Sequence, residues 1–165
     1  MMEKSFQWPI PSPTSPPRSM QRTAVVSGVA RPCGIGRAIT RTLLTQGYRV
    51  VGCDAAPEEA PDTPAPAYSF LRVDITSERD VQALRRHVEG VAGGAGLHAL
   101  VNNAGVAQPF MDATDPLRSW RAFIDTNLTG AFLMSQALQP LMVEGASAIV
   151  HISSTRALQS EPGCE

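Results

Sequence analysis

Neither sign of charge dominates this sequence: fourteen Lys and Arg stand against fifteen Asp and Glu, for a net charge of -1. A protein that grips nucleic acid needs a basic stripe, and the composition offers none. Cysteine is scarce and odd in number. Cys33, Cys53 and Cys164 are widely spaced with no Cys-x-x-Cys pair, which argues against a disulfide framework and against a metal site, and points to a reducing compartment, the cytoplasm. No apolar run approaches the ~18–20 residues that a membrane span needs. The first residues lack the apolar core of a secretory signal and hold too few arginines for a transit peptide. The 165 residues suffice for one domain that buries roughly two thirds of its unfolded surface.

Most of the fourteen prolines fall in two places, residues 9–17 and 57–66. The first group, set among serines without hydrophobic periodicity, makes residues 1–21 a disordered arm, and Met20 is the expected translation start just before the first strand pattern. Residues 22–165 form the folded domain.

The stretch from Ala24 to Ile39 organises the rest of the chain. An apolar run, 23–27, ends at Gly28; a short loop comes next, and Gly34-Ile35-Gly36 opens an amphipathic pattern over 34–46. Strand, tight turn and helix start together present backbone N–H groups and a positive dipole end to a phosphate. Glycine lets the backbone come near a ligand where a Cβ would block it, although such turns also serve plain packing. Ile35, Ile39, Leu43 and Leu44 form the expected apolar face, and Gly47 ends the helix.

Strands are expected over 48–54, 68–73, 97–101 and 148–152. A helix capped by Ser77 carries Val81, Leu84, Val88 and Val91, and a long helix with a possible break runs from Pro116 to about Glu144. Short apolar strands alternating with helices predict an α/β fold, a doubly wound parallel sheet covered on both faces. Ligands of such sheets bind beyond the carboxyl ends of the strands. Gly28, Asp54, Asp74, Asn102 and Ser154 each end a strand. Asp54 lies 18 positions past Gly36, close to the spacing at which a carboxylate takes the ribose hydroxyls of a dinucleotide. Its plainer alternative is a turn-forming Asp, and that of Asp74 is helix entry.

Ser27-Gly28…Gly34-Ile35-Gly36, Asp74-Ile75, Asn102-Asn103-Ala104-Gly105, Asn127-Leu128-Thr129-Gly130 and Ile152-Ser153-Ser154 resemble, in order and spacing, the successive motifs of the short-chain dehydrogenase/reductase family. The resemblance runs from about Thr23 to the end of the sequence. It implies a Rossmann-type sheet of order 3-2-1-4-5 and hydride transfer between a nicotinamide cofactor and a carbonyl or alcohol. It places Gly28, Gly34 and Gly36 along the pyrophosphate, Asp54 on the ribose and Asp74 near the adenine. Arg31, Ile35, Ile75, Ala104 and Gly105 complete the cofactor-binding set, and Asn102 holds the central strands and the cofactor together. Asn127 and Ser154 belong to an Asn–Ser–Tyr–Lys catalytic set. An Asn in the helix stripe of Trp120, Ile124, Ala131 and Met134 needs a partner: a proton-relay water, or nearby backbone. Ser154 suits hydrogen bonding to a substrate oxygen as charge builds on it; Gly-x-Ser-x-Gly is absent, and His151 is expected to point away.

Two departures stand out. Five residues separate Gly28 from Gly34 where the family pattern has three, a longer turn that resembles the enoyl-reductase branch. The family's Tyr-x-x-x-Lys belongs about a dozen residues beyond Ser154, and no Tyr or Lys follows Ser154 here. The expectation is an N-terminal portion of an oxidoreductase, inactive and poorly soluble alone, whose full-length form is a homodimer or homotetramer acting on a small molecule. The alternative is a non-catalytic dinucleotide-binding module. Asp54 selects NAD over NADP: two like charges 4 Å apart repel by ~1 kcal/mol in water and ~4 kcal/mol at an effective dielectric of 20, with Arg31 offsetting part of it.

Overall fold

The first strand, β1 (Thr23–Ser27), is buried at every residue, Ala24 and Val26 on one face of the sheet and Val25 on the other. A central parallel strand touches protein on both sides, which is why an unbroken apolar run suits it better than alternation. β2 (Arg49–Asp54) and β4 (Leu97–Asn102) flank it in parallel, β3 (Tyr68–Arg72) lies outside β2, and β5 (Ala148–His151) lies outside β4. The order β3-β2-β1-β4-β5 is the one expected. Ser27 pairs with Cys53, Asp54 with Arg72 and Asn102 with His151, so the carboxyl ends of all five strands share one edge. The computed structural model describes residues 21–59, 66–107, 114–155 and 158. Nearly all of the expected N-terminal arm, the middle of the Pro-rich loop and residues 108–113 lie outside the described residues.

Helices cover the two faces. On one, α1 (Ile35–Thr45) lays Ile39, Leu43 and Leu44 over Ala24, Val26, Val29, Val50 and Val101. On the other, α2 (Glu78–Ala92) and α4 (Ala131–Leu138) bury Val81, Leu84, Val88, Met134 and Leu138 against Val25, Val51 and Leu100. Each such side chain contributes roughly 1.5–3 kcal/mol by leaving water. α2 begins at Ser77, whose hydroxyl accepts the Asp80 N–H at 3.3 Å. α3 (Pro116–Ile124) begins at Asp115, which accepts the Arg118 N–H at 3.0 Å. Among the described residues no helix is long and apolar enough to cross a membrane.

Three expectations need correction. The helix expected over 116–144 is interrupted by a π-helical turn at Asp125–Gly130 and ends at Leu138, where a 3₁₀ turn, Gln139–Leu141, contains Pro140. Proline cannot continue the backbone ladder. The π turn also rotates α4 relative to α3, so Trp120 is 64% exposed while Met134 is buried, and the stripe expected through Asn127 is not one face. Ile35 is 63% exposed at the open start of α1, and the inward positions there belong to Gly36, Arg37 and Thr40.

Burial and the neighbouring Asp54 push the Cys53 thiol up from 9.0 to about 12, and burial with the Glu58 hydrogen bond raises Tyr68 in the same direction. Both groups hold their protons longer folded than unfolded, so their stabilising contribution is intact below pH 9 and drains away as pH climbs toward 12. Cys53 alone accounts for about 2 kcal/mol between pH 9 and 10.5. Urea denaturation at those two pH values is expected to show the loss, and Cys53→Ala is expected to shrink it by about that amount; an equally steep loss in the variant disproves the assignment.

Candidate functional site

The hydroxyl of Ser27, at the carboxyl end of β1, accepts two successive backbone N–H groups, those of Asn103 and Ala104, each at 3.0 Å. Asn103 answers with its side chain: Nδ2 donates to Ser27 O at 2.9 Å and to Gly28 O at 3.1 Å. The chain beyond β4 is thereby drawn over the start of the turn. Gly28 adopts φ +74°, and a Cβ there would stand 2.8 Å from Ala104 Cα. A Cβ on Gly36 would strike the carbonyl of Gly28 and stand 2.6 Å from Asn103 Nδ2. Both positions exclude any side chain, and the first also demands a left-handed backbone.

The lengthened turn folds inward. Val29 and Ala30 are buried, and Ala30 is held from several sides. Its N–H donates to Asp54 Oδ2 at 2.9 Å, and its carbonyl accepts the Glu59 N–H at 3.0 Å and Arg37 Nη2 at 3.3 Å. Arg37, 3% exposed, also donates through Nε to Val29 O at 2.9 Å and pairs with Glu58 Oε1 at 2.9 Å. Tyr68 donates to that same carboxylate oxygen at 2.7 Å. Arg31, Cys33 and Ile35 stand on the exposed rim.

α1 differs from α2 and α3 in how it begins. Gly34 supplies no side-chain cap, and the first turn has no acidic residue. The leading N–H groups and the positive end of the dipole face the carboxyl edge of the sheet with no side chain of the cap to satisfy them. That is the cradle an anionic group requires, lined by backbone at Gly28, Gly34 and Gly36.

The other site residues are held separately. Asp54, half-buried, also accepts the Ala56 N–H at 3.0 Å, so its carboxylate joins β2 to the turn. Asp74 takes the helix-entry geometry: Oδ1 accepts the N–H and hydroxyl of Thr76 at 2.9 and 2.7 Å. The Ile75 side chain is in the core, packed at Gly130. Asn127 lies in the π turn and spends both amide atoms on one residue, accepting Val106 N–H at 2.8 Å and donating to Val106 O at 3.0 Å. Nearby backbone is thus its partner, and Gly105 lies against its Oδ1. Ser154 is exposed past β5 on the same edge.

The tie expected of Asn102 belongs to its neighbour. Asn102 Nδ2 donates to Ser135 Oγ at 3.0 Å and stands 3.3 Å from His151 Nδ1, binding β4 to α4 and β5. Successive residues of an extended chain point to opposite faces of the sheet, so with Asn102 on the α4 side Asn103 lies on the α1 side, where its amide reaches the Ser27 and Gly28 carbonyls. His151, on β5, is thus a partner of Asn102. Among the described residues no group of three His, Cys, Asp or Glu is placed to hold a metal ion.

Comparison with known proteins agrees with this architecture. A family profile described as short chain dehydrogenase matches residues 22–165. The chain belongs to that family. It is similar to a 3-alpha-(or 20-beta)-hydroxysteroid dehydrogenase of Mycobacterium tuberculosis, 32% identical over 151 residues, covering 89% of this chain and 56% of the relative. A carbonyl reductase family member 4 of Danio rerio is 30% identical, covering 87% and 61%. Among solved structures, the ligand-free aldohexose dehydrogenase of Thermoplasma acidophilum superposes with a TM-score of 0.70 at 28% identity, over 83% of this chain and 51% of that one. The chain spans little more than half the length of these two curated relatives.

Arg37, Glu58 and Asn103 were not singled out as site residues from the sequence. A signal existed for Arg37: with Thr40 and Leu44 it falls on the inward face of α1 by helical spacing, but its charge marks it as a surface residue. Removing the Asn103 amide leaves two carbonyls at the turn without that donor, and Asn103→Ala is expected to cost about 2 kcal/mol. Gly36→Ala, which forces α1 off the turn, is expected to cost about 1–3 kcal/mol. Urea midpoints measure both; an unchanged midpoint in either shows that the turn relaxes freely.

Proposed function

We propose that this chain binds a nicotinamide dinucleotide, NAD in preference to NADP, as part of an oxidoreductase acting between a carbonyl and an alcohol. The observation that carries the reading is the uncapped start of α1 beside Gly28 and Gly36, with the Asp54 carboxylate at the end of the neighbouring strand. The backbone at Gly28, Gly34, Ile35 and Gly36 takes the pyrophosphate, Arg31 borders it, Asp54 takes the adenosine ribose, and Asp74 with the Ile75 backbone borders the adenine. Ala104, Gly105 and Asn102 line the floor toward the nicotinamide. When bound, the cofactor supplies or accepts the hydride. Ser154 donates a hydrogen bond to the substrate oxygen as its charge grows, and Asn127 holds the Val106 segment beside it.

We propose that these 165 residues, which hold no tyrosine or lysine after Ser154, do not turn over substrate by themselves. Its setting is the cytoplasm. In the full-length protein, a homodimer or homotetramer, the exposed Leu117, Trp120, Leu128 and Phe132 meet a second copy.

Calorimetric titration of the chain is expected to give NAD at least about tenfold tighter than NADP, from the repulsion between Asp54 and a 2′-phosphate, and Asp54→Asn is expected to narrow the gap. Equal affinities reject the preference. Cofactor-dependent oxidation of an alcohol panel above the buffer blank rejects the inactivity.

A further inference from the structure

The buried charge at the turn bears on which dinucleotide the seat accepts, an inference that rests on the dinucleotide reading above. Arg37 and Asp54 bracket a single residue: Asp54 Oδ2 holds the Ala30 N–H at 2.9 Å while Arg37 Nη2 lies 3.3 Å from the Ala30 carbonyl. Standard backbone dimensions then limit the separation of guanidinium and carboxylate to about 10 Å. An unopposed guanidinium at that position attracts a 2′-phosphate and works against Asp54. It is not unopposed. Glu58 Oε1 lies 2.9 Å from Arg37 Nη2, with the two side chains 12% and 4% exposed, so solvent screens neither charge strongly. Tyr68 donates to the same oxygen, and Arg37 also donates through Nε to the Val29 carbonyl and through Nη2 to the Ala30 and Glu59 carbonyls. Arg31, by contrast, stands exposed on the rim.

We propose that Glu58 is a second determinant of cofactor choice: by cancelling the buried charge of Arg37, it leaves Asp54 to act against a 2′-phosphate without opposition. The residue acts through Arg37 and touches no ligand. It is a positioning residue, and its signature is the ratio of NADP to NAD affinity, which a purely structural role does not move.

The test is calorimetric titration of the 165-residue chain and its variants with NAD and with NADP, each variant checked for cooperative melting. Glu58→Gln keeps an acceptor for Tyr68 and removes the charge; it is expected to improve NADP relative to NAD about tenfold, the scale of one charge acting across ~10 Å at an effective dielectric near 20. Arg37→Met leaves Glu58 uncompensated and is expected to move the ratio about tenfold the other way. The double variant returns it to the wild-type value. An unchanged ratio in either folded single variant overturns the proposal. Should neither single variant fold, a double variant whose ratio departs from wild type overturns it, and one that matches supports it. A wild-type chain that binds neither dinucleotide overturns the dinucleotide reading and this proposal together. A wild-type chain that prefers NAD, with Glu58→Gln unshifted, overturns this proposal alone.

Discussion

Two backbone amides from the end of one strand converge on the hydroxyl of Ser27 at the end of the next, and the site depends on that convergence. It holds the segment after β4 against the turn after β1, with Asn103 returning two donors across the same gap. Buried backbone groups at strand ends have lost their ladder partners and need others. Here a single hydroxyl and a single amide satisfy them without a side chain having to fill the space between. The space is therefore narrow, and only glycine at 28 and 36 fits it.

The electrostatics come from the same compactness. α2 and α3 close their N-termini with their own side chains, so the positive ends of those helices are spent locally. α1 keeps its end open because its first residues are the turn itself. The carboxylates near the turn are held by partners of their own: Asp54 is fastened to Ala30 and Ala56, and Glu58 is occupied by Arg37 and Tyr68. The acidic groups beside the turn are thus fixed in position.

The strands and the edge they share were legible because apolar runs and strand-ending polar residues are local signals, and their order followed from the family resemblance. The turn's lining was legible for the same reason. What escaped was set by contacts distant in sequence. Asn102 and Asn103 are adjacent and identical, and only the geometry at the end of β4 decides which one reaches β1. Arg37 has the spacing of a core residue and the chemistry of a surface one, and its acceptors, at Val29, Ala30 and Glu58, lie on both sides of it in the chain. The π turn at Asp125–Gly130 left no compositional mark, so the Asn127 stripe was drawn with a helical period that the backbone does not keep.

The inward fold of Val29 and Ala30 has a consequence for how this chain can vary. An insertion that loops outward changes length at little cost and can drift from one relative to another. This one has been absorbed into the interior, where the Ala30 amide answers one strand and its carbonyl answers a helix and a loop. Deleting a residue there shifts donor and acceptor out of register at once, and adding one leaves no room. The number of residues between Gly28 and Gly34 is accordingly tied to Arg37 and to the segment at Glu58 and Glu59.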